Sequence, residues 1–172
     1  MSQYRRVFVP GGAYFFTVVA HERQPWFAEV RNIAALREAF IRVHRDQPFT
    51  IEAIVVLPDH LHCLWRLPDD DADFPGRWRE IKKAASRAIA PVADARHERE
   101  VWQRRFWEHV IRDEADWRRH MDYIHYNPVK HGYAARPADW PWSTFLRAVA
   151  RGWYEPGWGA TEPAEIAGLE WE

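Results

Sequence analysis

Apolar residues along this chain alternate between two spacings, and the changes of spacing mark its elements. After the turn-forming Pro10-Gly11-Gly12, the run Tyr14-Phe15-Phe16-Thr17-Val18-Val19-Ala20 is aromatic and β-branched, the pattern of a buried strand. From about residue 28 to residue 44, Ile33, Leu36, Phe40 and Val43 recur at helical spacing among Glu29, Arg31, Glu38 and Arg42. Residues 50–57 form a second β-branched run. Pro58-Asp59 breaks it, and residues 60–67 resume in extended form up to Pro68, which predicts a hairpin. Helical spacing returns from Pro75 to Ala90, with Trp78, Ile81, Ala85 and Ile89 on one face. Arg79, Lys82, Lys83, Ser86 and Arg87 lie on the other, up to Pro91.

Within residues 102–112, Phe106, Glu108, Val110 and Arg112 alternate with their neighbours, which predicts a fourth strand. Asp113-Glu114-Ala115-Asp116 resembles an acidic capping box and opens a helix striped by Trp117, Met121 and Ile124. That helix is expected to stop near Asn127-Pro128. The order strand, helix, strand, strand, helix, strand, helix predicts an α+β fold. Its form is a ferredoxin-like split βαβ antiparallel sheet with helices on one face, followed by a C-terminal helix. The Pro- and Trp-rich residues 137–159 read as an irregular extension packed on the body. Residues 1–159 are expected to form one domain and residues 160–172 a loose acidic tail.

Composition narrows the chemistry. At 172 residues the chain is long enough for one real core. It has no apolar run long enough to span a bilayer and no signal-peptide pattern at its N-terminus, so a cytoplasmic protein is expected. A single cysteine, Cys63, excludes an internal disulfide framework and a multi-cysteine zinc site, leaving the nine histidines as the main candidate ligands. The net charge of −1 hides an asymmetry. Glu155, Glu162, Glu165, Glu170 and Glu172 leave residues 1–151 with 24 basic against 20 acidic side chains, a balance that permits nucleic-acid binding. Eleven tryptophans supply faces for packing or for stacking on unpaired bases.

Two short segments carry the candidate chemistry. In Pro58-Asp59-His60-Leu61-His62-Cys63, a strand's period of two puts His60 and His62 on one face, about 6.5–7 Å apart along the chain, where two imidazoles can share one divalent ion. Two histidines would leave positions open on Mg²⁺ or Mn²⁺. In Tyr123-Ile124-His125-Tyr126-Asn127-Pro128, Tyr123 and Asn127 are four apart and share a helix face, with His120 one turn earlier; Tyr126 is off that face. The Asn127 amide oxygen can complete a metal triad, and Tyr123 then stands beside the ion as a nucleophile toward phosphorus. Lys130 could screen a phosphate or simply be solvated, and His109 has no evident role.

These residues, together with Tyr4-Arg5-Arg6, Gly11-Gly12, Leu57 to His62, Phe106 to His109, Arg112 to Asp116, Tyr123 to Gly132 and Asp139 to Phe145, resemble the REP-associated tyrosine transposases. That group lies in the single-tyrosine branch of the HUH nucleases. The resemblance implies His60, His62 and Asn127 as metal ligands and Tyr123 as nucleophile. It implies single-stranded DNA carrying a palindromic hairpin as substrate, cut through a 5′-phosphotyrosine intermediate, and a monomer more than a dimer. It also sets Arg5, Arg6, Gly11 and Gly12 near guide nucleotides, although the glycines read equally as a plain turn. The basic stripe Arg79, Lys82, Lys83 and Arg87 is a candidate grip on hairpin phosphates, and the acidic tail a candidate cover over the DNA groove. The alternatives are a non-catalytic binder of hairpin or single strand, and a phosphoesterase that uses water.

Overall fold

The computed structural model describes residues 6–90 and 100–171. Four strands, β1 (Ala13–Val19), β2 (Thr50–Val56), β3 (His60–Arg66) and β4 (Trp107–Val110), form one antiparallel sheet in the order β2-β3-β1-β4. Helices α1 (Val30–Asp46) and α2 (Phe74–Ile89) connect them in the split βαβ manner, and α3 (Glu114–Lys130) follows β4. The α+β class and the ferredoxin-like order are as the sequence predicts.

Alternation along the two central strands divides the molecule into two cores. Tyr14, Phe16 and Val18 of β1, with Leu61, Cys63 and Trp65 of β3, face α1 and α2, whose Leu36, Phe40, Trp78 and Ile81 complete the larger core. Phe15, Ala53, Val55 and Leu64 face the other way, onto Met121, Tyr123 and Ile124 of α3. Helices therefore cover both faces, with α1 and α2 on one and α3 alone on the other. The register places Thr17 opposite His62 and Val19 opposite His60, at the end of the sheet remote from the Gly11-Gly12 turn.

Several boundaries differ from the sequence expectation. Helix α3 runs past Asn127-Pro128 to Lys130. Proline lacks only one N–H, and the helix recovers a complete C-terminus: Gly132, at φ 72°, lets its own N–H reach Val129 O and the Tyr133 N–H reach Pro128 O. The extension is partly regular, holding α4 (Phe145–Ala150). Its residues 142–144 continue the sheet beyond β2, through Val56 N–H to Trp142 O and Thr144 N–H to Ile54 O. Residues 160–171 lie against the α3 face in place of a loose tail, with Ile166 buried in that core. On α2, Ser86 is buried. Lys82 turns to Gln103 O at 2.8 Å and over the Phe106 ring, so neither belongs to the exposed basic stripe.

Two of the four carboxylates in the acidic loop, those of Asp71 and Asp73, are spoken for internally. Asp73 caps α2 through the Gly76 N–H, and Asp71 makes a two-pronged pair with the fully buried Arg77 at 3.0 and 2.7 Å. Arg77 also donates to Gln47 O, Pro48 O and Asp73 O, tying α2 to the turn before β2. Gly11 packs on this loop, its N–H on Asp71 O. At φ 68°, with Asp69 Cα 3.1 Å from where a Cβ would stand, it meets the needs of a turn.

Removing the Asp71 carboxylate strands a buried guanidinium on carbonyl acceptors alone, so Asp71→Ala is expected to lower unfolding free energy by about 2–4 kcal/mol in urea denaturation. The Arg77 guanidinium beside Asp71 holds its carboxyl below the usual range. Its contribution is therefore complete above the unfolded value of about 4 and lost as pH falls through the lower folded value. Asp71→Ala should flatten that acid limb.

Candidate active site

Strand β3 starts with His60, and both of its histidines point to α3, where the Tyr123 ring lies 5.2 Å from the His62 ring and the His60 and His62 rings are 4.9 Å apart. His60, His62, Tyr123 and Asn127 are all fully buried. Phe15, next to His62 across the sheet, stacks along its imidazole at 5.5 Å. His131, just past α3, brings its ring to 5.3 Å from His60.

The ring orientations follow from hydrogen bonds. His60 Nδ1 lies 2.7 Å from Asp59 Oδ1; a carboxylate can only accept, so Nδ1 carries a proton and, in the neutral ring, Nε2 keeps its lone pair. The Asp59 carboxyl would rise with burial, but the His60 hydrogen bond and the Arg23 guanidinium hold it down. Thr17 Oγ1 donates to Trp171 O at 2.6 Å and so must accept from His62 Nδ1 at 2.9 Å, which again leaves Nε2 with its lone pair. Burial, then the cationic neighbours, pushes the His62 imidazolium well down, so the ring is neutral near pH 7. Among the described residues His62 Nε2 and both amide atoms of Asn127 are buried without hydrogen-bond partners. Buried polar atoms left so are costly unless something else satisfies them. Two imidazoles oriented through Nδ1 and an amide oxygen form a donor set suited to one divalent cation.

The nucleophile candidate is not open to solvent, contrary to what attack on DNA requires. Tyr123 Oη accepts from the Trp171 N–H at 3.0 Å and from Lys130 Nζ at 3.3 Å; Lys130 also donates to Leu169 O at 2.8 Å. The segment ending at Trp171 thus covers the phenol. Sequence reading missed four contributors. Asp59 adjoins His60 and was available as an orienting partner; Thr17 and Phe15 become visible only once the register is known. Trp171 carries no local signal at all.

A second group of ligand-type atoms, from His109, Asp116 and His120, lies within 4.8 Å. These atoms bond to one another. His109 Nε2 is 2.7 Å from Asp116 Oδ2, and His120 Nδ1 donates to Asp116 O at 2.8 Å, while the Arg112 N–H adds 3.0 Å to Asp116 Oδ2. Burial would raise the Asp116 carboxyl, but those donors hold it at about 2. The group fastens β4 to the start of α3 and gives His109 a structural place.

The remaining sequence candidates lie elsewhere. Arg6 pairs with Glu108 at 3.3 Å and sits over Phe106 at 4.5 Å, beside β4. Arg5 lies outside the described residues. Gly11 and Gly12 stand at the far end of β1, about 20 Å of strand from His60. Arg79, Lys83 and Arg87 are exposed on α2, behind the sheet.

A family model described as transposase IS200 like matches residues 9–127. The chain is 49% identical over 158 residues to the REP-associated tyrosine transposase of Escherichia coli strain K12, covering 92% of the chain and 91% of that protein. The chain belongs to the REP-associated tyrosine transposases, within the IS200-like family. A Haemophilus influenzae protein is 40% identical to this transposase over 175 residues, 98% and 99% of the two chains. A solved structure of a REP-associated tyrosine transposase bound to a REP hairpin superposes with a TM-score of 0.82 at 47% identity, over 96% of each chain. No helix among the described residues is long and apolar enough to cross a membrane.

Because Thr17 fixes the His62 tautomer, Thr17→Val should weaken Mn²⁺ binding about 10- to 100-fold in calorimetric titration with the fold retained, and Asp59→Asn should do the same through His60. Unchanged affinity in both variants would separate these bonds from metal binding.

Proposed function

We propose that this transposase cuts and rejoins single-stranded DNA at REP-type palindromic hairpins, with Tyr123 as nucleophile and His60, His62 and Asn127 holding a divalent ion, Mg²⁺ or Mn²⁺. One observation carries the reading: Tyr123 and the two imidazoles meet in a buried cluster, and Asn127, one turn further along α3, is buried with neither amide atom hydrogen-bonded among the described residues. The solved relative bound to a REP hairpin supports the choice of substrate.

The chemistry is a transesterification. The Tyr123 oxygen bonds to the scissile phosphorus as the bond from phosphorus to the 3′ oxygen breaks; the phenolic proton is lost and the departing oxygen becomes a 3′-hydroxyl. The strand's other side stays on the enzyme as a 5′-phosphotyrosine, so a new 3′-hydroxyl can reverse the step without further energy input. A bound cation would polarise the phosphate and offset charge on its oxygens. Lys130, donating to Tyr123 Oη, stabilises charge on that oxygen when tyrosine is the leaving group in rejoining. Every proposed site residue comes from one chain, which favours a monomer as the working unit. Arg79, Lys83 and Arg87, behind the sheet, would serve hairpin backbone away from the cut, and Arg6 with Gly11-Gly12 a third stretch.

Tyr123→Phe is expected to abolish the denaturant-resistant DNA adduct while leaving hairpin affinity within about twofold. A water-using phosphoesterase would cut without any adduct, and a pure binder would not cut. The cover over Tyr123 gives a second expectation. Deleting residues 170–172 removes the Trp171 contacts but keeps Ile166 and Leu169 in the core, and should speed adduct formation about tenfold or more. An unchanged rate would mean that the segment leaves without cost when DNA arrives.

A further inference from the structure

We infer that the slot now filled by the Trp171 indole is a subsite for one unpaired nucleobase flanking the scissile phosphate, stacked on His120. This rests on the proposed strand cleavage by Tyr123 and adds to it a second point of contact with the substrate.

Trp171 is placed as a nucleotide would be. Its backbone N–H sits on Tyr123 Oη, where the phosphate must come, and its planar ring reaches sideways into an aromatic slot. There the indole lies on the His120 imidazole at 4.2 Å and 14°, with the Phe15 ring edge-on at 5.7 Å and Tyr123 tilted at 4.7 Å. Beneath His120 the stack continues through His109 at 4.7 Å and 13°, and then Trp107 at 6.0 Å and 9°. The indole is thus the top ring of a four-ring column. A purine or pyrimidine has the same flat shape and would replace it ring for ring.

His120 is built to hold that face still. Its Nδ1–H is fixed on Asp116 O, and Asp116 is fixed in turn by His109 and the Arg112 N–H. Burial lowers the imidazolium to about 4, so the face is an uncharged aromatic at working pH. Among the described residues the indole's ring contacts are to His120, Phe15 and Tyr123, and stacking of this kind is sequence-tolerant, so the subsite takes any base and rejects only its absence.

The test uses the full-length Trp171→Ala protein and single strands with one abasic residue at either nucleotide flanking the cut. One of the two abasic strands should form adduct about 5- to 100-fold more slowly than the intact strand. His120→Ala added to Trp171→Ala should slow the intact strand by a similar factor without slowing the abasic strand further, and His120→Phe should restore the rate. In parallel, 2-aminopurine at that nucleotide should be quenched on binding to the Trp171→Ala protein and lose the quenching with His120→Ala. Equal rates for both abasic strands, or penalties that multiply, would overturn the subsite. If intact DNA forms no adduct at all, strand cleavage by Tyr123 fails, and the quenching alone still decides whether a base stacks on His120.

Discussion

The period of two along β3 is the constraint on which this molecule depends. His60 and His62 share one face because Leu61, Cys63 and Trp65 are needed on the other, where they lock α1 and α2 to the sheet. A slip of one residue would carry both imidazoles into the apolar core and bring Trp65 onto the α3 face. The geometry of the site is therefore set by the packing of the opposite face, through residues that touch no substrate.

On the α3 side the same logic applies to a helix. The second half of α3 is buried all round, by the sheet on one side and by α4, Tyr154 and Trp158 on the other. This explains why Pro128 does not end the helix and why Tyr123 and Asn127 keep a fixed spacing. Rigid placement suits an in-line attack on phosphorus, which tolerates little misalignment. It also means that the movable part of the site is the segment over it. Trp171 is held by two backbone hydrogen bonds, to Tyr123 and Thr17, and by stacking. These contacts are few enough to be exchanged for a substrate that makes similar ones.

Much of this was legible in the chain. Alternation and helical spacing predict all four strands and the first three helices, most clearly α1 and α2, whose apolar residues gather on one face; β4, whose buried residue is Glu108, shows only a weak alternation. His-x-His on a strand and the spacing of Tyr123 and Asn127 on a helix each set two side chains on one face, because both depend only on local geometry, and the fold brings the His62 and Tyr123 rings together. What stayed hidden depends on contacts between distant residues. Thr17 acquires its role from register with His62. Lys82 leaves its helix face for a carbonyl on the 100–106 loop. Residues 160–171 look like solvated tail by charge, yet Ile166, Leu169 and Trp171 are spaced to reach the α3 face. The His62 tautomer and the column of rings likewise depend on contacts between distant residues.

The central claim is that His60, His62 and Asn127 converge on one cation beside Tyr123. Anomalous diffraction from crystals soaked with Mn²⁺ tests it directly. The account predicts a single strong peak about 2.1 Å from His60 Nε2, His62 Nε2 and Asn127 Oδ1. A peak at the His109, Asp116 and His120 group instead, or none near β3, would contradict it.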